Sequence, residues 1–415
     1  MEVMACYKQT EMGVIPEDWN IAILGNISVI SRLAGAEYTS LWVESNNGEI
    51  IALRGFNIGK GKLIERDLVT ISNALSLKLK RSRLCSDDVI YPCVGSIGNA
   101  VVIEEDNKYH IQQNIARITP NQSILSSRYL ANYLMSFLGQ KEVARFNASS
   151  SQPSVLVGSL RQYRVPLPKS KIEQEVIAGA LSDADALIES LENLIEKKRQ
   201  IKQGAMQELL TGKKRLAGFS GEWEVKRLLD SCQLITKGTT PTSLGKDFTE
   251  SGINFIKVES LNKIGEIIED MVAYIDEETH ELLKRSQLRE NDLLISIAGA
   301  LGRAGIVDKS ILPANTNQAL AIARFRDKSE LFNEYVYYFI GFDLITKHIA
   351  GISAQGAQAN LSLEQVGDFP IFAPKIDEQK AIVGILKDMD FELTKLESKL
   401  LKARQVKQGM MQELL

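Results

Sequence analysis

The sequence predicts an α+β chain: two similar globular domains separated by two long antiparallel coiled-coil helices, with a pseudo-two-fold relation inside one polypeptide. Three observations carry this. Residues 173–210 repeat at 378–415 without a gap, at an offset of 205 and with 20 identities in 38 positions, which marks a duplication. Both copies space their apolar residues in alternating steps of three and four, a heptad seam that needs a partner helix. The stretch before each copy consists of short apolar runs broken by glycine and polar turns, which read as strands.

The 415 residues are enough for two or three domains with cores of their own. The expected boundaries are a first module at 1–165, a first helix with linker at 166–216, a second module at 217–370 and a second helix at 371–415. EIIALRGFN, DDVIYPCVG and NAVVIEE read as strands in the first module, as do GINFIKVE, NDLLISIAG and RAGIVD in the second. YLANYLMSFL and NEYVYYFIGF read as amphipathic helices. The modules share a weaker skeleton: Trp19 matches Trp223, the run at 84–100 ending in GSIGNA matches that at 288–304 ending in GALGRA, and IQQN at 111–114 aligns with NTNQ at 315–318.

In the first helix the seam is Leu181, Ala184, Ile188, Leu191 and Ile195; in the second it is Leu386, Met389, Leu393, Leu396, Leu400 and Ala403. Pro166 and Pro168, and Pro370 and Pro374, limit how far each helix extends backwards. About 36 residues of helix span roughly 54 Å. The second helix must return along the first if their seams are to meet, so the pair is antiparallel; the alternative is that each helix packs on its own module. Gly204 and Gly409 sit at equivalent places inside the helical pattern, where glycine costs about 1 kcal/mol against alanine. Close backbone approach, a bend or nearby termination would account for them.

Composition excludes several classes. Hydrophobic residues are 44% and charged residues 24%, as in ordinary globular proteins. No run approaches the ~20 apolar residues of a membrane helix, and the N-terminus lacks an export pattern. Cys6, Cys85, Cys93 and Cys232 are scattered without CxxC spacing, which argues against a disulfide framework or structural zinc and fits the cytoplasm. There is no phosphate-binding GxxxxGK[ST] and no GxGxxG. Glu224-Val225-Lys226 is an isolated ExK string, better read as a solvated strand than a metal-nuclease motif, and His110, His280 and His348 have no metal-ligand spacing. No catalytic residue, metal or cofactor is expected.

Binding candidates are better placed. Lys78, Lys80, Arg81 and Arg83 form the basic run KLKRSR, and Arg54, Lys60 and Lys62 surround a glycine-rich turn where backbone can approach a phosphate. Lys257 lies in GINFIKVE, and Ser96 and Arg303 lie in or beside the GSIG and GALG turns. Gln112, Gln113 and Asn114, with Asn315, Asn317 and Gln318, are amide-rich. Amides can pair bidentately with adenine and arginine with guanine; hydrogen bonding within turns is the equal alternative for the amides. The polar loops at 149–152 and 355–360 either face DNA or link back to the helices. Against DNA stands the charge: 49 basic and 52 acidic residues, net −3, with the second module at 15 basic to 22 acidic. Contact there requires a local patch, with further basic surface from partners.

The opening KQTEMGVIPEDW, the proline followed by Glu173-Gln174 or Glu378-Gln379 at each helix start, the KQGxMQELL tails, the bridge LLTGKKRLAGFSGEW and the LxxxDxxxxxxGxxG skeleton of both modules occur in one order along nearly the whole chain. In that order the chain resembles a specificity subunit of a type I restriction-modification system. The resemblance implies that each module is a target recognition domain reading one half of a split, asymmetric double-stranded DNA sequence. It also implies that the helices set the spacer and dock two methyltransferase subunits, and that restriction subunits join that core. Catalysis would belong to the partners. One departure is that the second repeat stops at Leu415 where the first continues TGKKRL, so that closure is looser or the N-terminal segment completes it. The competing classes are a coiled-coil interaction scaffold without nucleic acid and a self-sufficient nuclease or methylase.

Overall fold

The computed structural model describes residues 7–146, 154–262, 265–326, 330–342, 345, 349, 351 and 360–415. The loops at 149–152 and 355–359, with Cys6 and His348, lie outside the described residues. The chain forms two compact units, residues 1–192 with 398–415 and residues 193–397. Each unit thus contains one module, the N-terminal part of one long helix and the C-terminal part of the other.

In the first unit a four-stranded antiparallel sheet runs in the order Ser28–Ser31, Ile115–Pro120, Val89–Pro92, Val101–Val102. Beside it a three-stranded sheet runs Val69–Ile71, Ile50–Leu53, Tyr109–Ile111, its last pair parallel. The second unit has the same plan: Cys232–Lys237, Leu320–Phe325, Leu293–Ser296, Ala304–Ile306, then Ala273–Ile275, Ile253–Ile256, Ala314–Thr316. Six of these strands, Ile50–Leu53, Val89–Pro92, Val101–Val102, Ile253–Ile256, Leu293–Ser296 and Ala304–Ile306, lie in the expected apolar runs. A ribbon closes each module by pairing its first part with its last: Asn20–Ile23 with Arg164–Leu167, and Glu224–Arg227 with Pro370–Ala373. The ExK string lies in this second ribbon, where Lys226 is 2.7 Å from Glu224 and 2.5 Å from Glu330.

The shared skeleton has physical reasons. Asp88 and Asp292 are 1% exposed, and each forms a buried ion pair, with Arg117 at 2.7 Å and with Arg324 at 2.6 Å. Each also accepts a backbone N–H, from Cys85 and from Arg289. The glycines that follow, Gly95, Gly98, Gly299 and Gly302, all have φ between 74° and 90°, which side chains with a Cβ rarely adopt.

Strand pairing corrects the expected alignment of the amide segments by one residue. His110 pairs with Ala52 beside the first three-stranded sheet's central strand, and Asn315 pairs with Phe255 in the second. Isolated bridges from Arg83 to His110 and from Gln287 to Asn315 agree. His110, not Ile111, is therefore the counterpart of Asn315. Both side chains are fully buried and hold the same carbonyl: a His110 ring nitrogen lies 3.3 Å from Leu79 O, and Asn315 Nδ2 donates to Leu283 O at 3.2 Å.

The long helices are Lys171–Leu209 and Ile376–Glu413. Their first turns are locked by the EQ pairs. Gln174 is fully buried, accepts from Ser126 N at 2.9 Å and donates to Ile124 O at 2.9 Å and Pro168 O at 3.2 Å. Gln379 does the same with Phe332 N at 2.8 Å, Glu330 O at 2.7 Å and Pro374 O at 2.8 Å. The adjacent Glu173 accepts from Trp19 Nε1 at 2.9 Å, and Glu378 holds Arg215 through two bonds of 2.7 Å.

The helix partners are antiparallel within each unit. In the first, Asp185 pairs with Lys407 and Glu192 with Arg404; in the second, Lys198 pairs with Glu392 and Lys202 with Asp390. Numbers rise on one helix as they fall on the other. Lys202 and Asp390 are half-buried; the other three pairs, more exposed, are worth about 0.2–1 kcal/mol each, less than the ~1.5–3 kcal/mol of one fully buried leucine, so the apolar seam supplies most of the attraction. Ile195 and Leu393 are buried in it, and Ala184, Ile188, Leu191, Met389, Leu396, Leu400 and Ala403 are half-buried. Leu181 and Leu386 also enter the cores of the modules that their helices leave, in clusters that include Met410 and Met411 or Ala205 and Met206 of the returning helix. Seam pairing and packing on the module thus occur together. At the other helix ends Leu209 and Leu210 enter the second module's core, and Leu415 enters the first module's core with Met12, Ile15 and Trp19. The N-terminal segment therefore shares the core that receives the second helix. Of the three accounts of Gly204 and Gly409, close backbone approach does not apply: a Cβ at either would meet nothing within 4 Å.

Gln174→Ala should lower the unfolding free energy by about 2–4 kcal/mol, since buried backbone groups lose their partner; denaturant melts matching those of the unmodified chain would refute the clamp. Burial holds the His110 imidazole below its ordinary value of 6.5, outweighing its bonds to the Ile111 and Leu79 carbonyls. The unfolded chain then binds the proton more readily, so this contribution to stability is present above about pH 6.5 and is lost as pH falls. His110→Asn, which copies the second module, should flatten the acid side of the stability profile; an unchanged acid limb in urea titrations would contradict this.

Candidate nucleic-acid interface

Two turns after matching strands place the first candidates. Arg54 precedes the 3-10 turn Gly55–Asn57 after Ile50–Leu53, and Lys257 precedes Val258–Ser260 after Ile253–Ile256. They are structural counterparts. Arg54 pairs with Glu44 at 3.1 Å, and Gln112 Nε2 donates to the same carboxylate at 3.0 Å. The Lys257 ammonium lies 4.2 Å from the centre of the Phe248 ring, a cation–π contact that leaves its donors available.

The amide segments follow the strands that pair beside those turns. Gln112 is buried, Gln113 half-buried and Asn114 exposed with φ 65°. Asn114 O accepts from Cys93 N at 2.7 Å, which ties the amide turn to the strand leading into GSIG, where Ser96 is exposed. In the second unit Gln318 is exposed and accepts from the Thr240 hydroxyl, while Asn317 Oδ1 receives Ala319 N at 3.0 Å. Asn315 is spent inside the module, on His280 and Leu283 O. That removes it from the residues free to meet a base. Arg303 is similarly engaged: its Nη1 donates to Val258 O at 3.1 Å and Leu261 O at 2.8 Å, which straps the GALG turn to the neighbouring 3-10 turn.

The basic run divides. Lys78, Lys80 and Arg81 are exposed, but Arg83 is half-buried between Asn107 and Asn73, at 2.7 and 2.9 Å. Arg81 pairs with Glu37 at 2.8 Å, and that guanidinium, with the Ala34 N–H, holds the Glu37 carboxyl below its ordinary range. Lys60 is exposed, and Lys62 extends to within 3.7 Å of Glu189 on the first long helix. Lys80 and Arg81 line an open groove of about 1180 Å³ with Arg32, Arg117 and Arg161. Arg32 and Arg161 were not legible as candidates: they come from opposite ends of the module and meet only once the edge strand Ser28–Ser31 is in place. In the second unit the loop after Cys232–Lys237 gathers a second cluster. Arg285 Nη2 donates to Thr239 Oγ1 at 3.1 Å, Thr239 N to Ser286 Oγ at 2.8 Å, and Thr240 meets Gln318.

The arrangement offers cations and amides on rigid turns, suited to phosphates and base edges. Among the described residues no three His, Cys, Asp or Glu side chains gather as a metal site, and no helix is long and apolar enough to cross a membrane. His110 faces inward, hydrogen-bonded to backbone carbonyls.

Comparison with known proteins agrees in sequence and fold. The profile of the type I restriction modification DNA specificity domain matches twice, at residues 16–203 and 220–403. The chain is 23% identical over 390 residues to the type I restriction enzyme MjaVIII specificity subunit of Methanocaldococcus jannaschii, covering 91% of this chain and 87% of that one. A second protein of that organism, provisionally named the MjaX specificity subunit, is 26% identical over 403 residues, with 92% and 89% covered. The fold resembles the type I restriction-modification S subunit from M. genitalium, with a TM-score of 0.59 at 14% identity and 96% of each chain covered. It equally resembles a chain of a type I restriction-modification assembly, at 0.59 and 16%, with 96% and 98% covered. With two copies of the specificity domain accounting for most of its length, the chain belongs to the type I restriction-modification DNA specificity family.

Proposed function

We propose that the chain is the non-catalytic specificity subunit of a cytoplasmic type I complex, in which each module reads one half of a bipartite, asymmetric DNA target. One observation supports this most: the modules share strand order and register but present different side chains at equivalent surface points. Arg54 faces Lys257 in the correspondence, and Ser96 faces Ala300. One scaffold with two side-chain sets suits two dissimilar half-sites. The long helices, 39 and 38 residues, are rods of about 57–59 Å. They would fix the unread spacer and carry two methyltransferase subunits, with restriction subunits joining that core. Methyl transfer and cleavage would belong to those partners.

Inserting about four residues, one helical turn, into both helices should lengthen the tolerated spacer and leave both half-sites unchanged. Single-molecule methylation mapping reads all three together, and an unaltered gap would reject the ruler. Gln318→Ala should relax base preference in one half-site at little cost in stability, whereas Asn315→Ala should cost about 1–3 kcal/mol through a buried carbonyl left unpaired. Paired melting curves and motif mapping separate the two, and the reverse pattern would reject this assignment.

A further inference from the structure

The two modules can be aligned without a gap from residues 79–100 onto 283–304. Nine of those 22 positions are identical. Five are buried residues in both copies: Leu79, Ser82, Leu84, Asp88 and Ala100, with counterparts Leu283, Ser286, Leu288, Asp292 and Ala304. Two more are the left-handed glycine pairs of the GSIG and GALG turns. Packing and backbone geometry account for these seven. The remaining two are Lys80-Arg81 and Lys284-Arg285, and all four side chains are exposed.

Each pair opens a 3-10 turn, Lys80–Ser82 or Lys284–Ser286, at the end of a short helix. The turns are rigidly held. The residue before each gives its carbonyl to a buried side chain, His110 or Asn315, and the serine closing each is buried. None of the ion pairs among the described residues includes Lys80 or Lys284. The arginines are lightly held, by exposed Glu37–Arg81 contact and by the Thr239 hydroxyl. The Lys284-Arg285 pair persists in a module with 15 basic and 22 acidic residues, so general basicity does not explain it.

We propose that Lys80-Arg81 and Lys284-Arg285 are equivalent phosphate clamps, one per module, which hold each half of the subunit to the DNA backbone whatever the base sequence. A feature common to both modules cannot distinguish two different half-sites, but both half-sites have the same backbone. Exposed lysine and arginine on a stiff turn match that ligand: a point charge and a planar fork, each suited to phosphate oxygens. The inference rests on the specificity reading above.

The test uses the full chain assembled with its methyltransferase subunits. Binding is measured across salt concentrations to a target duplex and to one with both half-sites scrambled. Lys80→Gln and Lys284→Gln should each flatten the plot of log K against log salt by about 0.9, and the double substitution by about 1.8. At 0.1 M salt each should weaken binding about fivefold to tenfold, equally on both duplexes. Lys80→Arg and Lys284→Arg should restore the slope. An unchanged slope, a loss confined to the target duplex, or an altered methylation motif would overturn the proposal. If the unmodified complex binds both duplexes equally, the specificity reading fails, and the slope still decides the clamp.

Discussion

Each unit depends on the way a helix start is fastened to a module. A glutamine side chain, buried at the junction, satisfies a backbone N–H and two carbonyls at once. Its neighbouring glutamate holds Trp19 in one unit and Arg215 in the other. An unpaired polar group at such a place would cost about 1–3 kcal/mol, so the junction has one stable arrangement. The helix axis is thereby aimed by the module, and the ribbon of first and last strands just before it leaves little freedom. The partner helix then brings its C-terminal leucines back into the same core. This joins sequence-distant segments within a unit: residues 1–192 with 398–415 in one, and residues 193–397 in the other.

That fastening separates two tasks which the duplicated segments show plainly. Residues fixing the module's shape are the same in both copies or are replaced by equivalents: the Asp–Arg ion pair, the glycine turn, and His110 answered by Asn315 at one carbonyl. Residues on the outer turns are free to differ, because they carry no part of that internal network. Arg54 and Lys257 occupy one place but engage different partners, a carboxylate and a phenylalanine ring. A chain with this division can change what a module touches without changing how it is held. Lys80-Arg81 and Lys284-Arg285 stand out because they break that rule, being exposed and yet the same.

Several candidates from the primary structure have internal work. Arg303 ties two turns together, Asn315 is enclosed, and Arg83 bridges two asparagines. Residue type alone cannot separate an amide that meets a base from one that meets a carbonyl, since the same donors and acceptors serve both. The groove holding Arg32, Lys80 and Arg161 is invisible along the chain because its walls come from distant segments.

The duplication, the two long helices, the strand-rich modules and the family are all legible along the chain. These follow from periodicity and repetition, which survive in one dimension because helix and strand periods are local. It takes the folded chain to show that His110 rather than Ile111 answers Asn315, that Leu181 and Leu386 serve module cores as well as helices, and which polar side chains remain exposed. Those are questions of register and burial. They are set by contacts between segments tens to hundreds of residues apart, where a shift of one position turns a side chain from the core to the solvent.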